Sequence, residues 1–210
     1  MNSNDIFIII LLWIGWCTVH SGLISLSVTR YLQGRLGDSF RYYRLFYNTF
    51  AVVTLVPLYM VSQSIKGEVV FSWSVGLEVL RLSFFIGSLL LFVFGARKYN
   101  LVNFLGIEQI KSGKNHAIMS ESGALDTSGI LGVTRHPWYL AGLMLIWSSQ
   151  QDIHVTRFWM NCVLSCYFII GTLLEERKLK LELGQSYLDY CEQVSMLFPF
   201  KWLQAKLFKN

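Results

Sequence analysis

Two short clusters carry residue types that could do chemistry. Arg135-His136-Pro137 stands directly before an apolar run that reaches Trp147, and Glu175-Glu176 stands at the end of another. Proline suits the first position of a helix because it has no N–H to leave unpaired. A helix opening at Pro137 presents a partial positive end, which suits a carboxylate or a phosphate. The acid pair makes the opposite statement. At a helix C-terminus the dipole disfavours anions, and at a bilayer edge burying charge is costly. Local physics opposes the pair, so it needs cations. Arg177 and Lys178 supply some, and a bound cationic ligand would supply the rest. A second reading stays open: the RHP triplet caps an interfacial helix with His136 facing water, and the acids pair with neighbouring Arg and Lys.

What positions these clusters is a set of apolar helices. Of 210 residues, 53% are hydrophobic and only 15% charged, against about 25% charged in average soluble domains. A span needs roughly 20 apolar residues. Three stretches meet this well, 6–28, 45–64 and 76–96, and two more follow at 137–150 and 156–174, the fourth being short enough to stop inside the bilayer. The expectation is an all-α integral membrane protein of about five transmembrane helices, with a C-terminal helical hairpin and cytoplasmic tail helices. It is read as one membrane domain over 1–210: three N-terminal spans in 1–96, a cytoplasmic loop in 97–136, and the hairpin with a cofactor-binding tail in 137–210. Spans four and five are joined by a short connection, so they run antiparallel. The start of one and the end of the other then meet at one surface, and His136 becomes a neighbour of Glu175 and Glu176.

Charge sets the expected orientation. Segment 29–44, which reads as a short connection, segment 97–136 and the tail after 174 hold fifteen of the eighteen Lys and Arg residues. Basic residues favour cytoplasmic loops, so the N-terminus is placed outside and the C-terminus inside, in an inner or plasma membrane. The net charge of +5 reflects topology, and no nucleic-acid partner is expected. The first span has no basic n-region, only Asp5, so it reads as a retained helix and not as a signal peptide. Loop 97–136 is long and polar, with Gly106, Gly113, Gly123, Gly129 and Gly132; its stretch NLVNFLGIEQI is amphipathic enough to lie along the interface, and His116 reads as solvated. Cys17, Cys162, Cys166 and Cys191 read as core packing, and His154, with no second histidine at metal spacing, gives no metal site. EERKLKLELG continues span five to a stop at Gly184. Ser186 with Asp189 looks like a capping box, and Pro199 reads as the end of regular structure.

RHPWYLAG at 135–142 resembles the RHPxYxG motif of the isoprenylcysteine carboxyl methyltransferase and phospholipid methyltransferase superfamily. Glu175-Glu176, Leu179, Gly184, Tyr187, Tyr190, Val194 and Pro199 resemble the same family's tail pattern. The resemblance covers about 125–200. The front half, with HSG at 20–22 and RYYRLFYN at 41–48, is similar to an NnrU-like and methanethiol S-methyltransferase-like branch. The resemblance implies an integral-membrane enzyme using S-adenosylmethionine. Carried over by position, it implies cofactor contacts from His136, Pro137 and Tyr139, from the backbone of Leu131, Gly132 and Val133, and from Glu175 and Glu176. The family commonly has an aromatic and a basic residue in the turn before RHP. Here Leu131 and Gly132 stand there, which points to an acceptor less anionic than a carboxylate.

Methyl transfer from a sulfonium depends mostly on alignment and on a dry pocket. A thiol acceptor also needs deprotonation, for which Arg135, His136 or Arg177 would lower its pKa or His20 would act as base. His20 has an alternative in a helix–helix hydrogen bond to Ser21 or Asn48. The lipid bilayer is the expected partner, and the expected acceptor is lipophilic or a thiol, arriving between helices one, two and four past Trp13, Trp16, His20, Tyr47, Asn48 and Trp138. An isoprenylcysteine acid ranks below a thiol, and a phospholipid amine third. The competing class is a non-catalytic NnrU-like membrane protein or a small transporter, which would place ionisable groups near the bilayer midplane. Glu78 and Arg81 are the only charged pair within a proposed span, three apart and near its end, and read as an ion pair.

Overall fold

The computed structural model describes residues 3–99, 101–112 and 125–208. Gly113, Lys114, His116 and Gly123 of the long loop lie outside the described residues. The chain is helical. Helix α1 (Ser3–Ile24) stops at Ser25, whose hydroxyl accepts the Val28 N–H at 3.4 Å and so caps α2 (Leu26–Leu36). A 3-10 turn, Gly37–Tyr42, leads into α3 (Tyr43–Ser64). The segment expected as a connection over 29–44 is therefore helix. LSVTRYLQGRL contains no proline, and its polar residues are compatible with helix, so polarity alone did not break it.

The remaining helices are α4 (Glu78–Ala96), α5 (Leu101–Leu105), α6 (Ile107–Ser112), α7 (Pro137–Ser148), α8 (Val155–Leu183), α9 (Gln185–Gln193) and α10 (Phe200–Leu207). Among the described residues, four stretches are long and apolar enough to cross a membrane: Asn4–Ile24, Leu26–Ser64, Val75–Ala96 and Val155–Leu183. The fourth expected span is α7, only 12 residues. It is about 18 Å long against a hydrocarbon core of about 30 Å, so by itself it is shorter than a full span. Large apolar side chains point outward from the long helices, among them Val53 and Ile86. Lipid is the solvent in which that surface is stable.

One small sheet interrupts the helical class. Strand β1 (Val69–Ser72) pairs antiparallel with β2 (Asp152–His154), matching Val69 with His154 and Ser72 with Asp152. The Ser72 hydroxyl donates to Asp152 at 2.6 Å, and His154 bonds the Gly67 carbonyl at 2.9 Å. Strands of three and four residues are too short to leave a period in the sequence.

The chain divides into two compact units. The first comprises 1–72, 100–118 and 152–164. Its core joins Ile9 and Trp13 of α1 to Met160 of α8, with Leu55 and Leu58 of α3 against them. Trp13 donates its indole N–H to Ser62 at 2.9 Å, and Arg157 donates to the Tyr59 hydroxyl at 2.9 Å. The second comprises 73–99, 119–151 and 165–210. There α4 packs along α7, and glycine permits the close approach: a β-carbon on Gly95 would come within 2.5 Å of the Trp138 ring. The hairpin of α7 with the second half of α8 is closed the same way, since a β-carbon on Gly142 would sit 3.0 Å from Phe168 and one on Gly171 3.2 Å from Tyr139.

The tail departs from expectation at two points. Gly184, at φ 58°, ends α8 as foreseen. The Ser186 and Asp189 capping box does not form. Ser186 lies inside α9 and donates to the Leu183 carbonyl, and Asp189 accepts from Gln185. Pro199 does not end regular structure but precedes α10 as its N-terminal cap residue, a place where its fixed φ costs nothing.

Candidate functional site

Pro137 takes the first position of α7 and His136 the cap position before it. What fixes this triplet is the chain after α9. Thr134 and Ser195 form a parallel bridge. The Arg135 N–H donates to the Ser195 carbonyl at 3.0 Å, and the His136 N–H donates to the Met196 carbonyl at 3.2 Å. Strand-like pairing of 134–136 with 195–196 thus holds the triplet against the tail. Lys201 caps the end of α9, donating to the carbonyls of Cys191 at 2.7 Å and Glu192 at 2.9 Å.

The expected meeting of the triplet with the acid pair is present. Glu176 is buried, and its two oxygens are crowded with donors. Arg135 gives it two bonds of 2.8 Å in bidentate geometry, His136 Nε2 lies 2.8 Å away, and the Tyr187 hydroxyl donates at 2.7 Å. Arg135 also donates to the carbonyls of Cys191 and Val194. Burial disfavours the Arg135 cation, but the bonds to Glu176 outweigh it, and the guanidinium is held above its ordinary pKa. Burial first, and then the bond to Glu176, push the Tyr187 phenol far above its ordinary range. This is a buried ion pair with its lone pairs satisfied, the condition under which such a pair is tolerated.

Glu175 is different. One residue along a helix is a rotation of about 100°, and that rotation takes Glu175 out of the knot. Its side chain is 33% exposed and lies 3.8 Å from His136 Nδ1. It accepts a hydrogen bond from the Tyr139 hydroxyl and acts electrostatically on Tyr99. The Tyr139 ring meets His136 edge-on at 5.8 Å, and Tyr99 lies 4.6 Å from Trp138. Burial, followed by Glu175, raises the Tyr99 phenol well above its ordinary pKa. A partly exposed carboxylate among aromatic faces is a setting that attracts an organic cation.

The turn before the triplet is ordered by its own contacts. Gly129–Gly132 is a 3-10 turn, and the carbonyl of buried Leu131 accepts the Tyr190 hydroxyl at 2.6 Å. A β-carbon on Gly132 would sit 3.1 Å from the Thr127 carbonyl, and the Val133 N–H donates to Ile130. Upstream, Asp126 accepts from the Ser128 N–H and hydroxyl and from Lys98, and these bonds pull its carboxyl down to about 2. The other face of the Arg135–Glu176 pair opens on a cleft of about 430 Å³, lined by Leu173, Arg177, Lys180, Leu181 and Met196. Arg177 thus stands at a basic, apolar-walled cleft.

His20 belongs to the first unit. The Tyr47 hydroxyl lies 2.6 Å from its Nε2, and Trp16 stacks on the ring at 4.8 Å. Asn48, one of the two partners expected for it, donates instead to the Phe104 carbonyl. Glu78 and Arg81 form the expected ion pair, two bonds of 2.9 and 2.6 Å, and Arg81 also donates to the Ser148 carbonyl. Tyr187, Tyr190, Cys191 and Tyr99 were not expected among the site residues. The spacing of Tyr187 and Tyr190 on the otherwise polar α9, with Val194 just past its end, was the available signal.

Over part of its length the chain is similar to known proteins. It is 32% identical over 77 residues to methanethiol S-methyltransferase of Pseudomonas deceptionensis, which is 37% of this chain and 29% of that protein. It is 30% identical over 79 residues to methanethiol S-methyltransferase of Pseudomonas sp. (strain GM41(2012)), 38% of this chain and 30% of that protein. The chain thus matches less than a third of the length of these curated relatives. No protein-family profile matches the chain, and no solved structure does.

Proposed function

We propose that this chain is a membrane-embedded methyltransferase that uses S-adenosylmethionine and acts on a thiol or lipophilic acceptor. The observation that carries the reading is the division of labour between the two glutamates. Glu176 is consumed in holding Arg135, His136 and Tyr187 together, and Glu175 keeps spare capacity beside His136, Tyr139 and Tyr99. The partial similarity to two methanethiol S-methyltransferases supports the same class.

The donor set fits the cofactor. Its ammonium and sulfonium are cations, for which Glu175 and the faces of Tyr99 and Tyr139 are suitable partners. Its carboxylate suits the opening turn of α7 at Pro137, with the backbone of Leu131, Gly132 and Val133 along the preceding turn. When bound, S-adenosylmethionine supplies an electrophilic methyl group. The protein's own part is to align the reactants and exclude water. A thiol acceptor has to meet the sulfonium on the Glu175 side, so Arg177 and Lys180, which line the cleft on the other face of the Arg135–Glu176 pair, are given no part in the transfer. A thiol is the first choice of acceptor, an isoprenylcysteine acid the second and a phospholipid amine the third. Calorimetry on the purified chain is expected to show saturable S-adenosylmethionine binding, and labelled cofactor is expected to convert methanethiol to labelled dimethyl sulfide. Absence of binding would sink the reading. Binding with transfer only to prenylcysteine or to phosphatidylethanolamine would reassign the acceptor.

The proposal includes an orientation. With the N-terminus outside and α7 with the residues after it counted as a fifth crossing, the basic segments 29–44, 97–136 and 175–210 lie in the cytoplasm together with the site. A reporter fused after Leu207 that requires the cytoplasm is expected to be active. Activity only of a reporter that requires the outer compartment would reverse the topology.

A further inference from the structure

Helices α5 and α6 are built inside out. Asn103 and Gln109, their most polar uncharged residues, are 3% and 2% exposed, while Leu101, Val102, Phe104, Leu105 and Ile107 are 37% to 47% exposed. In water the arrangement is unfavourable on both counts, since it buries amides and exposes aliphatic and aromatic surface. It becomes favourable when the outer solvent is hydrocarbon.

The backbone gives an independent reason. Short helices leave carbonyls unpaired at their ends, and lipid cannot satisfy them. In α5 the last carbonyls are taken by side chains brought from elsewhere. The Asn103 carbonyl accepts from Arg44 at 3.1 Å, from Gln109 at 3.2 Å and from the Gly106 N–H at 3.1 Å. The Phe104 carbonyl accepts from Asn48 at 3.0 Å. The turn between the helices is pressed against the first turn of α3 so closely that only glycine fits. Gly106 has φ 89°, and a β-carbon there would lie 2.8 Å from the Leu45 nitrogen. Beside this turn Leu45 and Phe46 of α3 are themselves exposed, so the apolar face of α5 and α6 continues that of a helix long enough to cross a membrane. Lys111 and Arg41 are exposed and rim this face.

We infer that Leu101–Ser112 is a lipid-embedded element at the boundary of headgroups and acyl chains. Its apolar face contacts acyl chains, and Lys111 and Arg41 face the phosphates of anionic phospholipids. The inference does not rest on the proposed activity. It follows from the burial pattern, from the capping of α5 and from the electrostatic pull of anionic headgroups on a basic rim.

The test places p-benzoylphenylalanine in turn at Leu101, Val102 and Leu105 of the full chain in nanodiscs of phosphatidylcholine and phosphatidylglycerol. All three positions are exposed, so the substitutions leave packing intact. Val53, exposed midway along α3, is the reference. After irradiation, mass spectrometry is expected to find covalent phospholipid adducts at all three positions, in yields within about threefold of that at Val53. The adducts are expected to be richer in phosphatidylglycerol than the disc as a whole. Adducts at Val53 but none at 101, 102 and 105 would overturn the inference. So would cross-linking of these positions to a second copy of the chain, and parity between the two lipids would remove the basic rim from it.

Discussion

Replacing Glu176 with glutamine is expected to cost the protein about 3–5 kcal/mol, the penalty for breaking a buried pair and leaving its partner charged and unpaired. The side chains of Arg135 and Glu176 are 8% and 6% exposed, so water does not rescue the stranded guanidinium. The loss reaches beyond one bond. Glu176 ties α8 to the turn before α7 through Arg135 and His136 and to α9 through Tyr187. Thermal unfolding in one detergent at one scan rate is expected to show a midpoint lower by on the order of 10 °C. Removing both charges separates the pair from its members. Arg135→Met alone leaves an unpaired carboxylate, while Arg135→Met with Glu176→Leu leaves neither charge. The double variant is expected to lie closer to wild type than the two single losses add to, with a coupling on the order of 2 kcal/mol. Simple additivity would show that the pair is incidental to the fold.

The site's composition was legible in sequence for a topological reason. A short connection between two apolar runs forces an antiparallel hairpin, so the residues before the first run must meet those after the second. That logic places His136 beside Glu176 with no knowledge of rotamers. It cannot divide the work between Glu175 and Glu176, because adjacent helical residues differ by about 100° and the buried direction depends on what packs there. The packing comes from α9, whose Tyr187 and Tyr190 reach Glu176 and Leu131. Those residues were visible as a motif but not as a contact. Arg135 shows the same limit. Its charge suggested a role toward an acceptor, and the structure places it in two bonds to Glu176 and two to backbone carbonyls. Segment 29–44 joins two spans as expected but does so as helix and 3-10 turn, a conformation its basic composition does not reveal. The strands at 69–72 and 152–154 are held by pairing with each other, which no local pattern encodes. The shortness of α7 was legible, since the apolar run at 137–150 falls below the length of a full span.

Glu175→Gln is expected to behave in the opposite way to its neighbour. The Glu175 side chain is one-third exposed and bonded to the Tyr139 hydroxyl, and its ion-pair contact, with His136 Nδ1, is long at 3.8 Å. Glutamine keeps an oxygen to accept from the Tyr139 hydroxyl, so stability is expected to stay within about 0.5 kcal/mol of wild type. Affinity is a different matter. If Glu175 holds a cationic group of the cofactor, the variant loses a charge-assisted contact of about 1.5–3 kcal/mol, a fall of roughly 10- to 100-fold in S-adenosylmethionine binding. The aromatic faces of Tyr139 and Tyr99 remain in place, so residual binding is expected. Calorimetry and thermal unfolding on the same preparation read the two quantities separately, and the pattern distinguishes the roles. Affinity lost with the fold intact marks Glu175 as a ligand contact. Affinity unchanged would remove it from the pocket. Affinity and stability lost together would make it a second structural carboxylate like Glu176, and the cation site would have to be sought on the Arg177 side of the Arg135–Glu176 pair, where the cleft offers Lys180 and no free acid. That alternative is chemically poor for a sulfonium, which is why the partly exposed glutamate and not the buried one is proposed to hold the cofactor.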